Sequence, residues 1–247
     1  MKCAVSDFDR TFYVDGAVSR RNLEAVGAWQ AAGHWFVIAT GRNEASIRSA
    51  LSKYGVKPDA LILNNGAVIL DREGRELFFK PIEKRTAEAV LRFLHERDDD
   101  GSGVSMRSRK VNVLSRAGTT TQKPCSGDFA IGEAGGLTEI VQIHRRRQDE
   151  AYIRELCREL NGRFPGISAY ANVCNADVVA FGVDKSAAVG WLDRREHFDE
   201  IRVIGDSAND VRMIRAYGGA TLKSAAPSVQ AVAKRVVADV AEILALE

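Results

Sequence analysis

Two kinds of hydrophobic pattern alternate along both ends of this 247-residue chain, and this alternation limits its possible folds more than any other feature. Short apolar runs of four or five residues are typical of buried strands, and the segments between them carry apolar residues at helical spacing. Strands that alternate with helices form a parallel sheet covered by helices. The predicted core strands are Cys3–Ser6, Trp35–Ala39, Ala60–Leu63, Ile201–Ile204 and Gly219–Leu222.

The middle of the chain has a different pattern. Predicted helices at Thr86–Arg97 and at about Glu150–Leu160 lie among short strand-like runs, which indicates an α+β unit with antiparallel strands. Insertion of such a unit into an exposed loop of a parent domain is well tolerated. We therefore predict a Rossmann-like parallel-sheet core made of residues 1–80 plus 183–247, and an inserted α+β domain at residues 81–182.

Two charged stretches lie within the predicted insertion. The segment Asp98–Gly103 is interpreted as a polar turn with solvated acids. The basic run His144–Arg147 could meet an anionic substrate, although a solvated run is the favoured interpretation.

Composition excludes several classes of protein. Lys and Arg number 35 against 33 Asp and Glu, so the net charge of +2 lacks the basic excess of a dedicated nucleic-acid binder. No apolar run approaches the ~18–20 residues that span a bilayer. The four cysteines lie far apart and are expected to be free thiols. The sequence thus predicts a cytoplasmic protein, monomeric or homodimeric, with no nucleic-acid or membrane partner.

Polar clusters follow the predicted core strands, at the sheet edge where open parallel sheets bind ligands. Alone, each cluster has an ordinary explanation as a turn, a helix cap or a solvated lysine, but their shared position is hard to explain that way. The clusters are Asp7-Phe8-Asp9-Arg10-Thr11, Thr40-Gly41-Arg42, Asn64-Asn65-Gly66 and Gly205-Asp206-Ser207-Ala208-Asn209-Asp210, with Lys185 at the start of a helix.

These residue types suit metal-assisted phosphoryl transfer. Clustered carboxylates repel one another and need a cation, and oxygen ligands with open positions suit Mg²⁺. A lysine and a hydroxyl at the same edge suit a phosphoryl group. A carboxylate can also act as the nucleophile and form an aspartyl-phosphate.

The four clusters, their order and Lys185 resemble the haloacid dehalogenase superfamily of phosphatases. The resemblance spans the core at both ends, and the Asn64-Asn65-Gly66-Ala67 segment before the insertion is closest to the Cof-type sugar phosphatase branch, which has an inserted C2-type cap. It implies that residues 81–182 close over the leaving group and determine substrate specificity.

The resemblance also implies the catalytic acids. Asp7 would be the nucleophile and a Mg²⁺ ligand. Asp9 would protonate the leaving alcohol and then serve as base toward the hydrolytic water, while its backbone carbonyl ligates the metal.

Further roles follow from the same resemblance. The Phe8 backbone would donate to the phosphoryl group, and Thr40, the Gly41 amide and Asn209 would hold its oxygens. Lys185 would offset the charge shared by Asp7 and phosphate. The remaining metal-binding acids would be Asp206 and Asp210.

One position departs from the family pattern. The family usually has glycine where this chain has Arg10, which could either contact phosphate or point outward. The predicted activity is Mg²⁺-dependent hydrolysis of a small phosphorylated metabolite, with a sugar phosphate as the expected substrate. The alternatives are a phosphomutase of the same superfamily and a non-catalytic phospho-metabolite sensor.

Overall fold

The computed structural model describes residues 1–107 and 109–245. The chain forms two compact units. The first, called the core here, contains Met1–Phe79 and the chain from Asp184 onward; the second, the insertion, is Lys80–Val183. That the insertion serves as a cap remains a prediction.

The helices and strands follow the chain through the core, the insertion and the core again. The first part of the core has β1 (Lys2–Asp7), α1 (Arg20–Ala31), β2 (Trp35–Ala39), α2 (Glu44–Ser52), β3 (Ala60–Leu63), β4 (Val68–Asp71) and β5 (Glu76–Phe79). The insertion has α3 (Lys84–Arg97), β6 (Ser102–Met106), β7 (Lys110–Val113), β8 (Asp128–Phe129), β9 (Ile140–Arg146), α4 (Glu150–Arg163), β10 (Ile167–Asn172) and β11 (Asn175–Ala180). The core resumes with α5 (Lys185–Glu196), β12 (Glu200–Gly205), α6 (Val211–Tyr217), β13 (Ala220–Leu222), α7 (Pro227–Gln230), β14 (Arg235–Val237) and α8 (Val240–Leu244).

The core sheet confirms the predicted α/β fold. Its strand order is β14-β13-β12-β1-β2-β3-β4-β5, and the first six strands of that order are parallel. Strands β4 and β5 add an antiparallel hairpin at one edge. The central strands are buried along almost their whole length because helices cover both faces, which explains their continuous apolar runs.

One edge strand of the core was not expected. No core strand was predicted after Gly219–Leu222, but Arg235–Val237 forms β14 beside β13. Two of its three residues are exposed, so the segment is too short to show the alternation of apolar and polar residues that distinguishes a strand from a loop. Its pairing with β13 makes it a strand.

The insertion has its own sheet, in the order β10-β11-β9-β6-β7-β8, with every neighbouring pair antiparallel except β7 and β8. Helices α3 and α4 pack on it through apolar stripes. The buried residues of these stripes are Ala87, Val90, Leu91 and Leu94 on α3, and Ile153, Leu156, Cys157 and Leu160 on α4.

Two interpretations of the insertion were wrong. The predicted polar turn contains the start of β6, because Gly103 lies under the ring of His144: a Cβ at Gly103 would come within 2.0 Å of that ring. Glycine here permits close packing between paired strands rather than a turn. The basic run is not simply solvated either, because Arg145 is buried.

The four cysteines are free thiols, as predicted. Among the described residues, no helix has the length and apolar character needed to cross a membrane.

Candidate active site

The candidate site is built where four core strands end. Asp7 is the last residue of β1, and Thr40, Asn64 and Asp206 directly follow β2, β3 and β12. Strand β1 lies between β12 and β2, parallel to both, so these ends are neighbours at the carboxyl edge of the sheet. This is the edge at which open α/β sheets bind ligands.

Three carboxylates meet at this edge. Asp7, Asp206 and Asp210 are all buried, and one oxygen from each lies within 4.8 Å of the others. Three hard oxygen donors in this spacing suit a divalent cation such as Mg²⁺. The Asp9 side chain does not belong to this group, so its predicted metal contact would have to come from the backbone carbonyl alone.

Lys185 compensates part of this negative charge. Its ammonium nitrogen lies 2.6 Å from Asp7 Oδ1 and 2.7 Å from Asp210 Oδ1, and the side chain is 1% exposed. Three carboxylates and one ammonium leave a formal excess of two negative charges. A divalent cation matches that excess when the exposed Arg10 guanidinium beside Asp206 is not counted.

Burial and the neighbouring charges of the cluster also shift the pKa values of Asp7 and Lys185. Burial raises the pKa of the Asp7 carboxyl; Lys185 lowers it, and Asp210 and Asp206 raise it again. Burial disfavours the Lys185 ammonium, but Asp210 and Asp7 outweigh burial and raise its pKa above the ordinary value. A bound cation would favour the ionised form of Asp7, which is the nucleophilic one.

The position of Lys185 depends on the turn after β3. Asp184 caps helix α5, with its Oδ1 accepting the Ala187 amide at 2.7 Å. Gly66 has φ 108°, and a Cβ there would lie 2.4 Å from the Asp184 carbonyl oxygen. Only glycine lets the Asn64-Asn65-Gly66 turn lie this close to the start of α5.

Asp210 also holds the loop that presents Asp206. Its Oδ2 accepts the backbone amides of Asp206 at 3.1 Å and Ser207 at 3.0 Å. A Cβ on Gly205 would come within 2.4 Å of the Asp210 carboxyl carbon, so glycine is needed at the end of β12.

Asp206 receives hydrogen bonds on both oxygens. Thr11 Oγ1 donates to Oδ1 at 2.9 Å, and Ser207 Oγ donates to Oδ2 at 2.9 Å. The Arg10 guanidinium lies beside the same carboxylate. Thr11 and Ser207 were quoted in the sequence motifs but had no assigned role.

Asp9 forms a separate pair with Arg42. The Arg42 guanidinium donates from Nε to Asp9 Oδ2 at 2.8 Å and from Nη2 to Oδ1 at 2.5 Å. It lies over the Phe8 ring at 4.9 Å, and Phe8 stacks on Tyr13 with ring centres 5.2 Å apart. The hydrogen bond to Asp9 raises the pKa of Arg42. Sequence reasoning missed this role, although Arg42 stood in the quoted Thr40-Gly41-Arg42 motif.

The remaining predicted phosphate contacts lie close together. Thr40 Oγ1 accepts the Arg42 amide at 3.1 Å. Asn209 Nδ2 donates to Asn65 Oδ1 at 3.0 Å, and a Cβ at Gly41 would lie 3.3 Å from the Asn65 amide. Thr40, Gly41 and Asn209 thus surround Asn65, beside the carboxylate cluster.

Known proteins are similar to this chain in sequence. The sequence profile of haloacid dehalogenase-like hydrolases matches residues 4–243. A Haemophilus influenzae protein named "Putative phosphatase" is 26% identical over 243 residues, which cover 91% of this chain and 86% of that protein.

Solved structures share the fold. The sugar phosphatase BT4131, of subclass IIB of the same superfamily, superposes with a TM-score of 0.79 at 21% identity, covering 98% of this chain and 95% of its own. A haloacid dehalogenase-like hydrolase from B. subtilis gives a TM-score of 0.83 at 20% identity, covering 97% and 98%.

Proposed function

We propose that this chain, which belongs to the haloacid dehalogenase-like hydrolase family, is a Mg²⁺-dependent phosphatase that acts on a small sugar phosphate. The buried cluster of Asp7, Asp206 and Asp210 around Lys185 carries the proposal. It combines a carboxylate nucleophile, a cation site and a fixed positive charge. The sugar phosphatase among the structural relatives supports the substrate class.

The proposed reaction has two steps. An Asp7 carboxylate oxygen attacks phosphorus, the bond to the leaving oxygen breaks, and Asp9 gives that oxygen its proton. Water then attacks the aspartyl-phosphate, Asp9 takes the water proton, and inorganic phosphate leaves with Asp7 restored. Each half-reaction transfers one phosphoryl group and one proton, so the cycle closes.

The reaction brings the Asp7 carboxylate close to a negatively charged phosphate, so positive groups must balance both charges. Asp7 and Asp206, with Asp210 behind them, would hold Mg²⁺, and the ion would neutralise the phosphate oxygens. The Lys185 ammonium touches Asp7 and lowers the electrostatic repulsion between the Asp7 carboxylate and the phosphate that it attacks. Thr40, the Gly41 amide and Asn209 would orient the phosphoryl oxygens, together with the Phe8 amide.

Arg42 constrains when Asp9 can act. Both Asp9 oxygens accept hydrogen bonds from the Arg42 guanidinium, so one of them must be freed before Asp9 can protonate a leaving group. Asp9 is 47% exposed on its side chain, which leaves room for that rearrangement. Stacking on Phe8 and Tyr13 keeps Arg42 close by.

Leaving-group dependence tests the roles of the two acids. Asp7→Asn should be inactive on every substrate and trap no phosphoenzyme. Asp9→Asn should lose about 10²–10⁴-fold on a sugar phosphate but less in the phosphorylation step on p-nitrophenyl phosphate, whose leaving group needs no proton. Single-turnover release of p-nitrophenolate and phosphate, with acid-quench detection of phosphoenzyme, measures both steps.

The control is the exposed Asp15→Asn, which should behave as wild type. Equal residual turnover by both variants on both substrates would refute the assigned roles and favour direct attack by water. Transfer of phosphate to a second hydroxyl of a hexose phosphate would identify a phosphomutase instead.

Metal removal tests the cofactor. Activity should disappear on exhaustive chelation and return with Mg²⁺. Ca²⁺ should inhibit because it accepts looser, higher coordination. Full activity in chelator would overturn the metal assignment.

A further inference from the structure

Arg10 has an unusual backbone conformation for a residue with a large side chain. Its φ is 64°, in the left-handed region that a Cβ disfavours. The turn holds it there, because the Arg10 amide donates to the Tyr13 carbonyl at 2.7 Å, and the Thr11, Phe12 and Tyr13 amides all point at the Phe8 carbonyl. Glycine would adopt this turn at lower cost, so the contacts of the Arg10 side chain need an explanation.

The Arg10 side chain reaches the candidate metal site. Its Nε lies 3.3 Å from Asp206 Oδ2, and its Nη2 donates to Ser207 Oγ at 2.5 Å. Ser207 Oγ in turn donates to the same Asp206 oxygen. A guanidinium thus faces the one carboxylate of the cluster that Lys185 does not touch.

Exposure distinguishes this cation from Lys185. The Arg10 side chain is 54% exposed, whereas its partner Asp206 is 8% exposed. The Lys185 ammonium is enclosed by protein and cannot reach solvent. The Arg10 guanidinium is already partly in solvent, so it can move away from Asp206 and remain hydrated. Its contact with Asp206 is therefore exchangeable, and a metal ion would need the same carboxylate.

We propose that Arg10 competes with the divalent cation for Asp206 and thereby weakens metal binding at this site. The inference rests on the proposed function, because it needs the metal at Asp7, Asp206 and Asp210. Arg10 acts here as a tethered cation that occupies Asp206 when the metal leaves. It is neither a phosphate contact nor an outward-pointing side chain.

Metal binding without substrate tests the proposal directly. Mn²⁺ binding to the full chain, followed by electron paramagnetic resonance with Mg²⁺ competition, gives both affinities. Arg10→Gln should bind both ions about two- to fivefold more tightly, the range expected for a half-exposed ion pair. Arg10→Lys should remain near wild type, because it keeps the charge.

Two further variants separate charge from backbone effects. Arg10→Gly should match Arg10→Gln in metal affinity, although glycine adopts a φ of 64° more readily than glutamine does. Arg48→Gln is the matched control, because Arg48 is an exposed core arginine that pairs with Glu44 on its own helix at 2.7 Å. Its metal affinity should equal that of wild type.

The outcomes are distinguishable. Unchanged or weaker metal binding by Arg10→Gln, with normal binding by wild type, overturns the competition and leaves the proposed function intact. Unchanged metal binding together with weaker inhibition by inorganic phosphate would make Arg10 an anion contact, again overturning it. Absence of Mn²⁺ and Mg²⁺ binding by wild type overturns the metal site itself and the competition with it.

Discussion

Among the described residues, each unit of this protein has one basic side chain that is almost completely enclosed, and the partners that balance its charge differ between the two units. Lys185 in the core and Arg145 in the insertion are each 1% exposed. Lys185 touches the carboxylates of Asp7 and Asp210. Arg145 donates to only one carboxylate, that of Asp98 at 2.6 Å, and otherwise to the backbone carbonyls of Leu94 and Asp100.

The pKa shifts of these two groups run in opposite directions. Burial lowers the pKa of Arg145, and Asp98 and Asp100 only partly offset it. Burial also disfavours the charged Lys185, yet Asp210 and Asp7 raise its pKa. Lys185 touches two carboxylates of a three-carboxylate cluster, whereas Arg145 touches one carboxylate, which Arg147 also approaches at 3.9 Å. Buried groups whose pKa values are shifted by one another's charges, as in the core cluster, are typical of functional sites.

The largest effect is expected for Lys185→Met. Activity on p-nitrophenyl phosphate should fall about 10²–10³-fold, as for loss of one fixed charge-stabilising group. The free energy of unfolding should also fall, because two buried carboxylates lose their partner. Mg²⁺ should restore part of that stability, since it supplies the missing positive charge. Steady-state kinetics and urea unfolding with and without Mg²⁺ measure these effects.

Lys53→Met, an exposed core lysine, is the control for both measurements. If Lys185→Met lost stability that Mg²⁺ left unchanged, the cluster would not hold an excess of negative charge.

Arg145→Met should cost the insertion about 3–5 kcal/mol, the penalty for stranding the partner of a buried ion pair. Asp98 would keep the Tyr152 hydroxyl and the Asp100 amide as donors but lose its nearer cation, and the exposed Arg147 at 3.9 Å would remain. In contrast to Lys185→Met, this loss should not respond to Mg²⁺. Urea unfolding of the full chain, followed by a probe in the insertion, measures it.

Arg158→Met is the matched control, because this exposed arginine pairs with Glu155 on its own helix. A loss for Arg145→Met no larger than that for Arg158→Met would show that the buried network contributes little to folding.

The smallest effect concerns His144 in the insertion. Burial, followed by the charges of Lys110 and Arg146, lowers its pKa from 6.5 to about 3. Below pH 6.5 His144 binds a proton in the unfolded chain but not in the folded chain. The free energy of unfolding should therefore fall as the pH drops toward 3. His144→Gln should reduce the stability difference between pH 7 and pH 4.5, as measured by urea unfolding at both values.

His95→Gln, in helix α3, is the control for the loss of another histidine side chain of the insertion. A pH slope that survives in His144→Gln would assign the acid sensitivity of the insertion to its carboxylates instead.

Local pattern was enough for most of the core. Trp35–Ala39 and Ala60–Leu63 were predicted with the bounds that the structure shows, because central parallel strands are buried on both faces and stand out as continuous apolar runs. The Ser19 cap of helix α1 is equally local, since the Ser19 side chain accepts a hydrogen bond from the Asn22 amide three residues away.

Local pattern failed where a residue's environment comes from distant segments. Gly103 and Ser102 suggested a turn, yet they belong to a strand because His144 packs over Gly103 from the neighbouring strand. Arg145 stood in a run of basic residues, and only the approach of Asp98, 47 positions earlier in the chain, makes it a buried residue.

The same division holds for the candidate site. The sequence by itself determined which residue types end each core strand, because strand ends follow from local hydrophobic period and acids interrupt it. Their partners follow from the tertiary structure alone: Lys185 pairs with Asp7 across 178 positions, and Arg10 pairs with Ser207 across 197. Charge pairing depends on distance in space, and the fold alone brings positions so far apart in sequence to within hydrogen-bonding distance.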